Sequence, residues 1–130
     1  MIAIGPLKVK VQLFCADAHA MGPGKADLLE AIDREGSISA AGRALGMSYR
    51  KCWMLTDRMN RTFVEPLVKT DPRGASLTDL GRQVAAAFRT LEDRVRETAA
   101  ASRHRQLLLD RMKAAPVAAD RGAGGFGVKH

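Results

Sequence analysis

The chain has 130 residues, of which 46% are hydrophobic and 27% charged, and its formal net charge is +7 at pH 7. These values suit one globular domain with an appendage, and no apolar run approaches the roughly 18 residues of a transmembrane helix. The two cysteines, Cys15 and Cys52, lack CxxC spacing. With a first stretch too short for an export signal, we expect a reducing cytoplasm rather than a disulfide framework.

The excess positive charge lies in two segments. Residues 43–74 hold seven Lys and Arg against three acidic residues, and residues 103–130 hold six against two, so each segment has a net charge of +4. The rest of the chain has a net charge of −1. Such clustering favours a polyanionic partner over a uniformly basic surface.

The first predicted elements are a strand and a helix. Residues 7–14, LKVKVQLF, alternate apolar and polar side chains with the period of two that is typical of a half-buried strand. Residues 21–24, MGPG, predict a turn. Apolar residues then recur at helical spacing as far as Gly36, which predicts a helix over Lys25–Glu35.

Two further helices are predicted around a glycine. Ser39 is the predicted N-cap of a helix over Ala40–Leu45, and Gly46 suits the left-handed position after its end. Ser48 offers a second N-cap to a helix that runs to about Asn60. The predicted inward face of this third helix is Cys52, Leu55, Thr56 and Met59. A turn of about three residues makes two helices cross steeply, as in a helix-turn-helix.

A hairpin and a long helix complete the predicted elements. Strands over Leu67–Thr70 and Ala75–Leu77 flank the turn residues Asp71–Gly74. Thr78 is the predicted cap of a helix that runs from residue 79 to about residue 113. Its narrow, heptad-like apolar seam is of the kind that packs against a partner helix. The predicted dimerisation residues are Leu80, Val84, Phe88, Leu91 and Val95.

The order strand, helix, helix, turn, helix, hairpin predicts a winged helix-turn-helix, mainly α with a small β-hairpin wing. We expect a DNA-binding domain over residues 1–78, a long C-terminal dimerisation helix over residues 79–113 and a flexible tail over residues 114–130. In this fold the third helix enters the major groove and the hairpin lies along the phosphates.

The candidate DNA contacts lie on the third helix and at the hairpin tip. Arg50, next to the free amides of the helix start, can pair bidentately with a guanine edge. Lys51 and Arg58 suit phosphates, which set register without reading sequence. Trp53 fits either a thymine methyl or the core, and we favour the core. The predicted set is Ser48, Tyr49, Arg50, Lys51, Trp53, Arg58 and, unless the hairpin is merely solvated, Lys69 and Arg73.

Other functions have weaker support in the sequence. Cys15 and His19 have i, i+4 spacing, but a metal site would need a second pair of ligands, so ordinary packing is preferred. We find no Ser/His/Asp set and no Walker or GxGxxG loop, and we predict neither an enzyme nor a cofactor. Two alternatives stay open: a small-molecule or metal sensor that uses these two residues or a dimer-interface pocket, and a module that pairs with a different subunit.

Three segments, residues 22–60, 63–68 (FVEPLV) and 77–84 (LTDLGRQV), resemble the molybdate-responsive ModE family of bacterial regulators. GSISAA, ALGMSYR and a Trp three residues after that Arg are the motifs most specific to its N-terminal domain. More distantly, the chain resembles the DNA-binding domain of LysR-type regulators. The resemblance implies a dimeric winged-helix regulator, with the recognition helix starting at Ser48–Trp53 and the wing at Asp71–Gly74.

Full-length members of this family carry C-terminal oxyanion-binding domains that sense molybdate. The residues after the long helix are expected to be too few and too Gly-rich to form such domains, so the resemblance concerns the DNA-binding half, and no molybdate ligand is predicted. The sequence thus predicts a cytoplasmic homodimer that binds double-stranded DNA, not a membrane, and regulates transcription. It identifies neither the operator nor an effector.

Overall fold

Three antiparallel hairpins and five helices make up residues 1–119, the part of the chain that a computed structural model describes. The strands are β1 (Ile2–Ile4), β2 (Leu7–Val9), β3 (Leu13–Cys15), β4 (Ala18–Met21), β5 (Val68–Asp71) and β6 (Gly74–Leu77). The helices are α1 (Pro23–Glu35), α2 (Ile38–Leu45), α3 (Tyr49–Thr62), α4 (Asp79–Ala100) and α5 (Arg103–Arg111). None of these helices within residues 1–119 is both long and apolar enough to cross a membrane.

The prediction of one strand over residues 7–14 is wrong, because this segment contributes to two separate hairpins. β2 pairs with β1, and β3 pairs with β4. In each hairpin two residues, Gly5–Pro6 or Ala16–Asp17, separate the paired strands. Such short loops lose little entropy on closure, so each short strand pairs with its neighbour in sequence. The alternating pattern continues across both strands and does not reveal the change of partner.

Helix α1 lies at the centre of the core. It begins at Pro23, two residues before its predicted start. Proline fits the first helical position because the N–H that it lacks would have no hydrogen-bond partner there. The fully buried side chains Leu28, Leu29 and Ile32 form its inner face. The helix ends at Gly36, which has a φ of 80° and whose carbonyl accepts a hydrogen bond from the amide of Ala75 in the wing.

The helix-turn-helix is confirmed, but its first cap is Ser37 rather than Ser39. The Ser37 hydroxyl accepts a hydrogen bond from the Ala40 amide at 3.0 Å, and this earlier start allows Ile38 to be buried. Gly46 has the predicted left-handed conformation, with a φ of 67°. Ser48 caps α3 as predicted, since its hydroxyl accepts from the Lys51 amide at 3.2 Å.

The predicted inner face of α3 is confirmed for three of its four residues: Cys52, Thr56 and Met59 are buried, and Leu55 is half-buried against the core. The two helices approach closely, because a Cβ added to Gly42 would lie 2.9 Å from the Met47 carbonyl oxygen and 3.2 Å from the Cys52 Sγ. This close approach fixes the angle at which α3 projects from the domain.

The predicted wing is present as β5 and β6, with a four-pair register from Val68 opposite Leu77 to Asp71 opposite Gly74. The Asp71 carboxylate accepts hydrogen bonds from the amides of Arg73, at 2.7 Å, and Gly74, at 3.2 Å, which closes the tip. At the base, the Thr78 hydroxyl caps α4 by accepting from the Gly81 amide at 3.0 Å. The tip and the cap both confirm the sequence prediction.

The single helix predicted over residues 79–113 is two helices, α4 and α5. Ser102 caps α5, with its hydroxyl accepting from the Arg105 amide at 3.2 Å. The Arg105 guanidinium donates to the carbonyls of Ala99, at 3.0 Å, and Ala100, at 3.3 Å, which satisfies the end of α4. Both devices end one helix and start another. Residues 114–119 of the predicted tail lie after α5, and residues 120–130 lie outside the described residues.

Candidate nucleic-acid interface

The start of α3 is the most exposed part of the helix-turn-helix. Tyr49 is 57% exposed, and Ser48, Arg50 and Lys51 are exposed beside it. At 100° per residue, Arg50 and Met54 lie opposite the buried face of the helix. The fold therefore presents a tyrosine, a guanidinium and the capped amino end of a 14-residue helix on one surface.

The preference for Trp53 as a core residue is wrong. Its side chain is 50% exposed and lies on the side of α3 that also carries Tyr49 and Asn60. Trp53 follows the buried Cys52 by one residue, which places it about 100° around α3 from the buried side. The indole is therefore available on the exposed surface, in keeping with the less favoured prediction.

Two exposed residues of α3 were not predicted. Met54 is 39% exposed between the basic residues of the helix, and Arg61 is exposed three residues after Arg58. The Arg61 guanidinium pairs with the Asp57 carboxylate at 2.8 Å. Helical spacing from Arg50 is the sequence signal that finds both, since they follow it by four and eleven residues.

Within residues 1–119, no salt bridge engages the predicted basic contacts of α3 and the wing. These residues are Arg50, Lys51, Arg58, Lys69 and Arg73, and all five are exposed. Their charges are therefore available to a polyanion in solution.

A groove of about 250 Å³ separates the wing from the helix-turn-helix. Ser37 and Ser39 from the start of α2 line it, together with Tyr49 from α3 and Thr70 from the wing. Ser39, predicted as a helix cap, thus exposes its hydroxyl next to the tyrosine. The groove brings polar groups of all three elements to one surface, where hydroxyls can contact phosphate oxygens.

Cys15 and His19 do not form a metal site. Cys15 is exposed, whereas Nδ1 of His19 lies 3.0 Å from the Lys25 ammonium and its Nε2 is buried. A Cβ on Gly22 would lie 2.9 Å from this Nε2, so neither nitrogen is free to join the thiol. Within residues 1–119, no group of three or more His, Cys, Asp or Glu could hold a metal ion.

The predicted dimerisation seam is divided between two environments. Phe88 is 3% exposed in the core of its own domain, and Leu80 and Val84 pack against that core. Leu91 is exposed and Val95 half-buried further along α4. Strands β1 and β6 and helix α1 pack against α4. The first residues of the predicted seam therefore contact their own domain, and a role in dimerisation stays a prediction for the residues further along the helix.

This geometry defines a class of proteins: the winged helix-turn-helix DNA-binding domains. A capped helix with exposed basic residues follows a three-residue turn after the partly buried α2, and a hairpin with a basic tip lies beside it. Both the predicted fold class and the helix-turn-helix are confirmed.

Comparison with known proteins finds similarity over the same part of the chain. Residues 25–82 match the family model described as "Bacterial regulatory helix-turn-helix protein, lysR family". Over 92 residues the chain is 37% identical to the molybdenum-pterin-binding protein MopA of Rhodobacter capsulatus, covering 67% of this chain and 35% of MopA. It is 41% identical over 78 residues to the molybdenum transport protein ModE of Azotobacter vinelandii, covering 56% and 29%.

The predicted resemblance to ModE-type regulators is confirmed, and the more distant resemblance to LysR-type DNA-binding domains agrees with the family model that matches residues 25–82. The chain spans about a third of the length of these curated relatives. Among solved structures, the chain described as the CbnR_DBD–DNA complex matches with a TM-score of 0.51 and 22% identity. The match covers 68% of this chain and 97% of that chain, and it supports the fold.

Proposed function

We propose that this chain is a sequence-specific regulator of transcription that binds its operator as a homodimer. The observation that carries this proposal is the exposed start of α3, where Arg50 stands beside a capped helix end. An exposed guanidinium at this position can donate two hydrogen bonds to O6 and N7 of a guanine. Such a role is exercised in the cytoplasm and requires no catalytic step.

The roles of the contacts follow from their positions. Arg50 and Met54 face away from the core and would meet base edges, the methionine against a thymine methyl. Lys51 and Arg58 lie on one side of α3, and Lys69 lies in the wing. All three would contact phosphates. We therefore assign base reading to one face and charge neutralisation to its flanks.

Dimerisation is supported by apolar surface that the described residues leave uncovered. Helix α5 has nine residues, with none buried within residues 1–119, and it exposes Leu107 and Leu108. A helix this short is marginal in water unless it packs against something. Together with Leu91 on α4, these leucines offer a second copy an apolar face. Two-fold symmetry would then place two recognition helices one DNA turn apart, or a multiple of it.

Selection of bound fragments from a genomic library tests the DNA-binding proposal. Fragments that share a palindrome would support it, and a library recovered without enrichment would contradict it. The neighbouring genes also test whether the link to molybdenum carried by the relatives' names extends to this chain.

A mobility-shift series with the selected operator then tests the role of Arg50. Arg50→Ala should cost roughly 1–3 kcal/mol of binding free energy and relax preference at one base position. Arg96→Ala is the matched control, because Arg96 is an exposed arginine on α4 that pairs with Asp93 at 2.8 Å. Unchanged affinity and base preference in the Arg50 variant would refute the assignment.

Light scattering after size-exclusion chromatography tests the dimer. Leu108→Glu places a charge on the exposed apolar face of α5, where the leucine is 66% exposed, and should convert a dimer to monomer. Gln106→Glu, on an exposed residue of the same helix, is the control and should leave the mass unchanged. A wild-type protein that elutes as a monomer at every concentration would contradict the proposal.

A further inference from the structure

Lys25, in the first turn of α1, is a buried lysine without a carboxylate partner. Its residue is only 7% exposed, and lysines are almost never fully buried unless they are paired. Its ammonium contacts Nδ1 of His19 at 3.0 Å and also donates to the His19 carbonyl oxygen. No salt bridge within residues 1–119 engages Lys25. Its charge is therefore held in the protein without a compensating negative group.

The Lys25–His19 pair lies between two open cavities whose linings include basic residues, and the first is also lined by apolar residues such as Leu45, Met47 and Leu55. The first, of about 330 Å³, is also lined by Lys10 and by Lys51 of α3. The second, of about 300 Å³, is lined by Arg58 and Arg61. Positive groups from the segment between the first two hairpins, from α1 and from α3 thus line the cavities beside the buried pair.

Asp27, which lines the first cavity, and Asp57, which pairs with Arg61 of the second cavity, already have arginine partners. Asp27 lines the first cavity, but its carboxylate accepts a hydrogen bond from Arg89 at 2.5 Å. Asp57 on α3 is held by Arg61 at 2.8 Å. Neither carboxylate is therefore free to neutralise the lysine.

The amino end of α1 opens into the first cavity. Pro23 and Gly24 line it, and no side chain within residues 1–119 caps this end of the 13-residue helix. A Cβ added to Gly24 would meet nothing within 4 Å, so the helix end is also sterically open. The unbonded amides of the first turn carry partial positive charge and are suited to an anion.

Within the buried pair, the contact at Nδ1 fits a charged lysine beside a neutral imidazole. Because the ammonium donates to Nδ1, the neutral imidazole of His19 carries its proton on Nε2. Burial, followed by the charges of Lys25 and Lys10, lowers the pKa of His19, which favours this neutral form. Burial, followed by the Arg58 charge, lowers the pKa of Lys25, so its charged form is disfavoured. A bound anion would favour the charged form and raise this pKa.

We propose that the first cavity is a binding site for a tetrahedral oxyanion of the phosphate or sulfate type. Lys25 and the first-turn amides of α1 would hold the anion, and Lys10 and Lys51 would complete the site from its rim. The oxyanion is either a free ion or a phosphate of bound DNA, since Lys51 also belongs to the proposed DNA surface. A free ion could occupy the cavity without DNA, whereas occupation by a DNA phosphate rests on the proposed DNA binding.

Titration of the full chain with sodium phosphate, against sodium chloride at matched ionic strength, tests the free-ion source. NMR should show saturable shifts of the Gly24 and Lys25 amides with phosphate alone. Lys25→Met, which keeps the length of the side chain, should weaken phosphate binding at least about tenfold, because it removes a charge-assisted donor. The matched control is Lys8→Gln, on an exposed lysine of β2 that should leave binding unchanged.

Lys10→Gln provides a second variant, because this exposed residue lines the cavity and its replacement carries little risk to folding. It should also weaken phosphate binding, by a smaller factor. The DNA source is tested by the salt dependence of operator binding, whose slope should fall by about one in Lys25→Met if a DNA phosphate occupies the cavity.

Saturable amide shifts that Lys25→Met weakens at least about tenfold would support a free oxyanion, even if no operator were found, and shifts that neither Lys25→Met nor Lys10→Gln changes would overturn the site. A reduced salt slope without phosphate shifts would support a DNA phosphate. The absence of both effects, in Lys25→Met and in Lys10→Gln, would overturn the site and leave the DNA-binding proposal intact.

Discussion

The side chain of Asn60 fastens the recognition helix to the base of the wing. Its Oδ1 accepts hydrogen bonds from the amides of Leu67, at 2.9 Å, and Val68, at 3.0 Å, while its Nδ2 donates to the Val68 carbonyl at 3.0 Å. Leu67 and Val68 are 0% and 3% exposed. Asn60→Ala should therefore remove the protein partner of three backbone groups at buried positions.

The size of the effect follows from these three bonds. A neutral hydrogen bond contributes about 1 kcal/mol net, and a buried polar group left unsatisfied costs about 1–3 kcal/mol. Because Asn60 is half-buried, water can reach part of the vacated space. We therefore expect Asn60→Ala to lower the free energy of unfolding by about 3 kcal/mol. Asn60→Asp keeps the acceptor but loses the donor, and it should cost about 1–2 kcal/mol.

Denaturant unfolding, together with amide hydrogen exchange at Leu67 and Val68, measures both consequences. The control is Gln106→Ala, which removes an exposed amide that donates to Asp110 at 2.8 Å and should change stability by less than about 0.5 kcal/mol. Asn60→Ala with stability within about 0.5 kcal/mol of the wild type and unchanged exchange at both amides would refute this reasoning.

Lys51→Ala and Arg73→Ala should each weaken specific and non-specific DNA binding alike and reduce the salt slope by about one, so unchanged slopes would exclude them as contacts. Arg89→Met should destabilise the fold by about 2 kcal/mol, because buried Glu92 loses its guanidinium partner at 2.8 Å. The hydrogen bond from Arg89 lowers the folded pKa of Glu30, so its stabilisation is present above the unfolded pKa and is lost as pH falls through the folded one. Unfolding curves of wild type and variant across acidic pH should converge; parallel curves would contradict this. Gly74→Ala should lower the free energy of unfolding by at least about 2 kcal/mol, since the φ of Gly74 is 148° and the new Cβ would lie 2.1 Å from the Gly36 carbonyl oxygen. Gly24→Ala, whose new Cβ would meet nothing within 4 Å, is the control in thermal denaturation, and equal melting temperatures of the two variants would refute the clash.

The features that were predicted correctly are those set by neighbouring residues. Gly46, Ser48 and Thr78 each act on backbone groups within about four residues, so their chemistry can be recognised in the sequence. The wing tip is equally local, because Asp71 bonds to amides two and three residues later. Local bonds of this kind form in the same way in many folds.

The features that were missed depend on packing between distant segments. Ser37 and Ser39 are both acceptable caps, and only the burial of Ile38 in the core selects the first. A lone Trp such as Trp53 more often anchors a small core, but its position about 100° around α3 from the buried Cys52 leaves it 50% exposed. The burial of Lys25 against His19 is a contact that charge patterns do not predict.

The candidate site illustrates the same division within one helix. Helix α3 has 14 residues and completes almost four turns, so each of its sides carries several residues. The buried side contacts the core, the side of Asn60 contacts the wing, and the sides of Arg50 and Lys51 face outward and towards the oxyanion cavity. Helical periodicity predicts these sides from the sequence, but not what each one meets.

This arrangement separates sequence reading from charge neutralisation on the same helix. Arg50 and Lys51 are adjacent in sequence and about 100° apart around the axis, so a change at one leaves the surroundings of the other in place. Lys25 and Lys51 line the same cavity, so an anion bound there would lower the net positive charge beside α3. It would not contact the side of α3 that carries Arg50. Such an anion would act on the electrostatic part of DNA affinity, which depends on salt, and would leave base preference to Arg50.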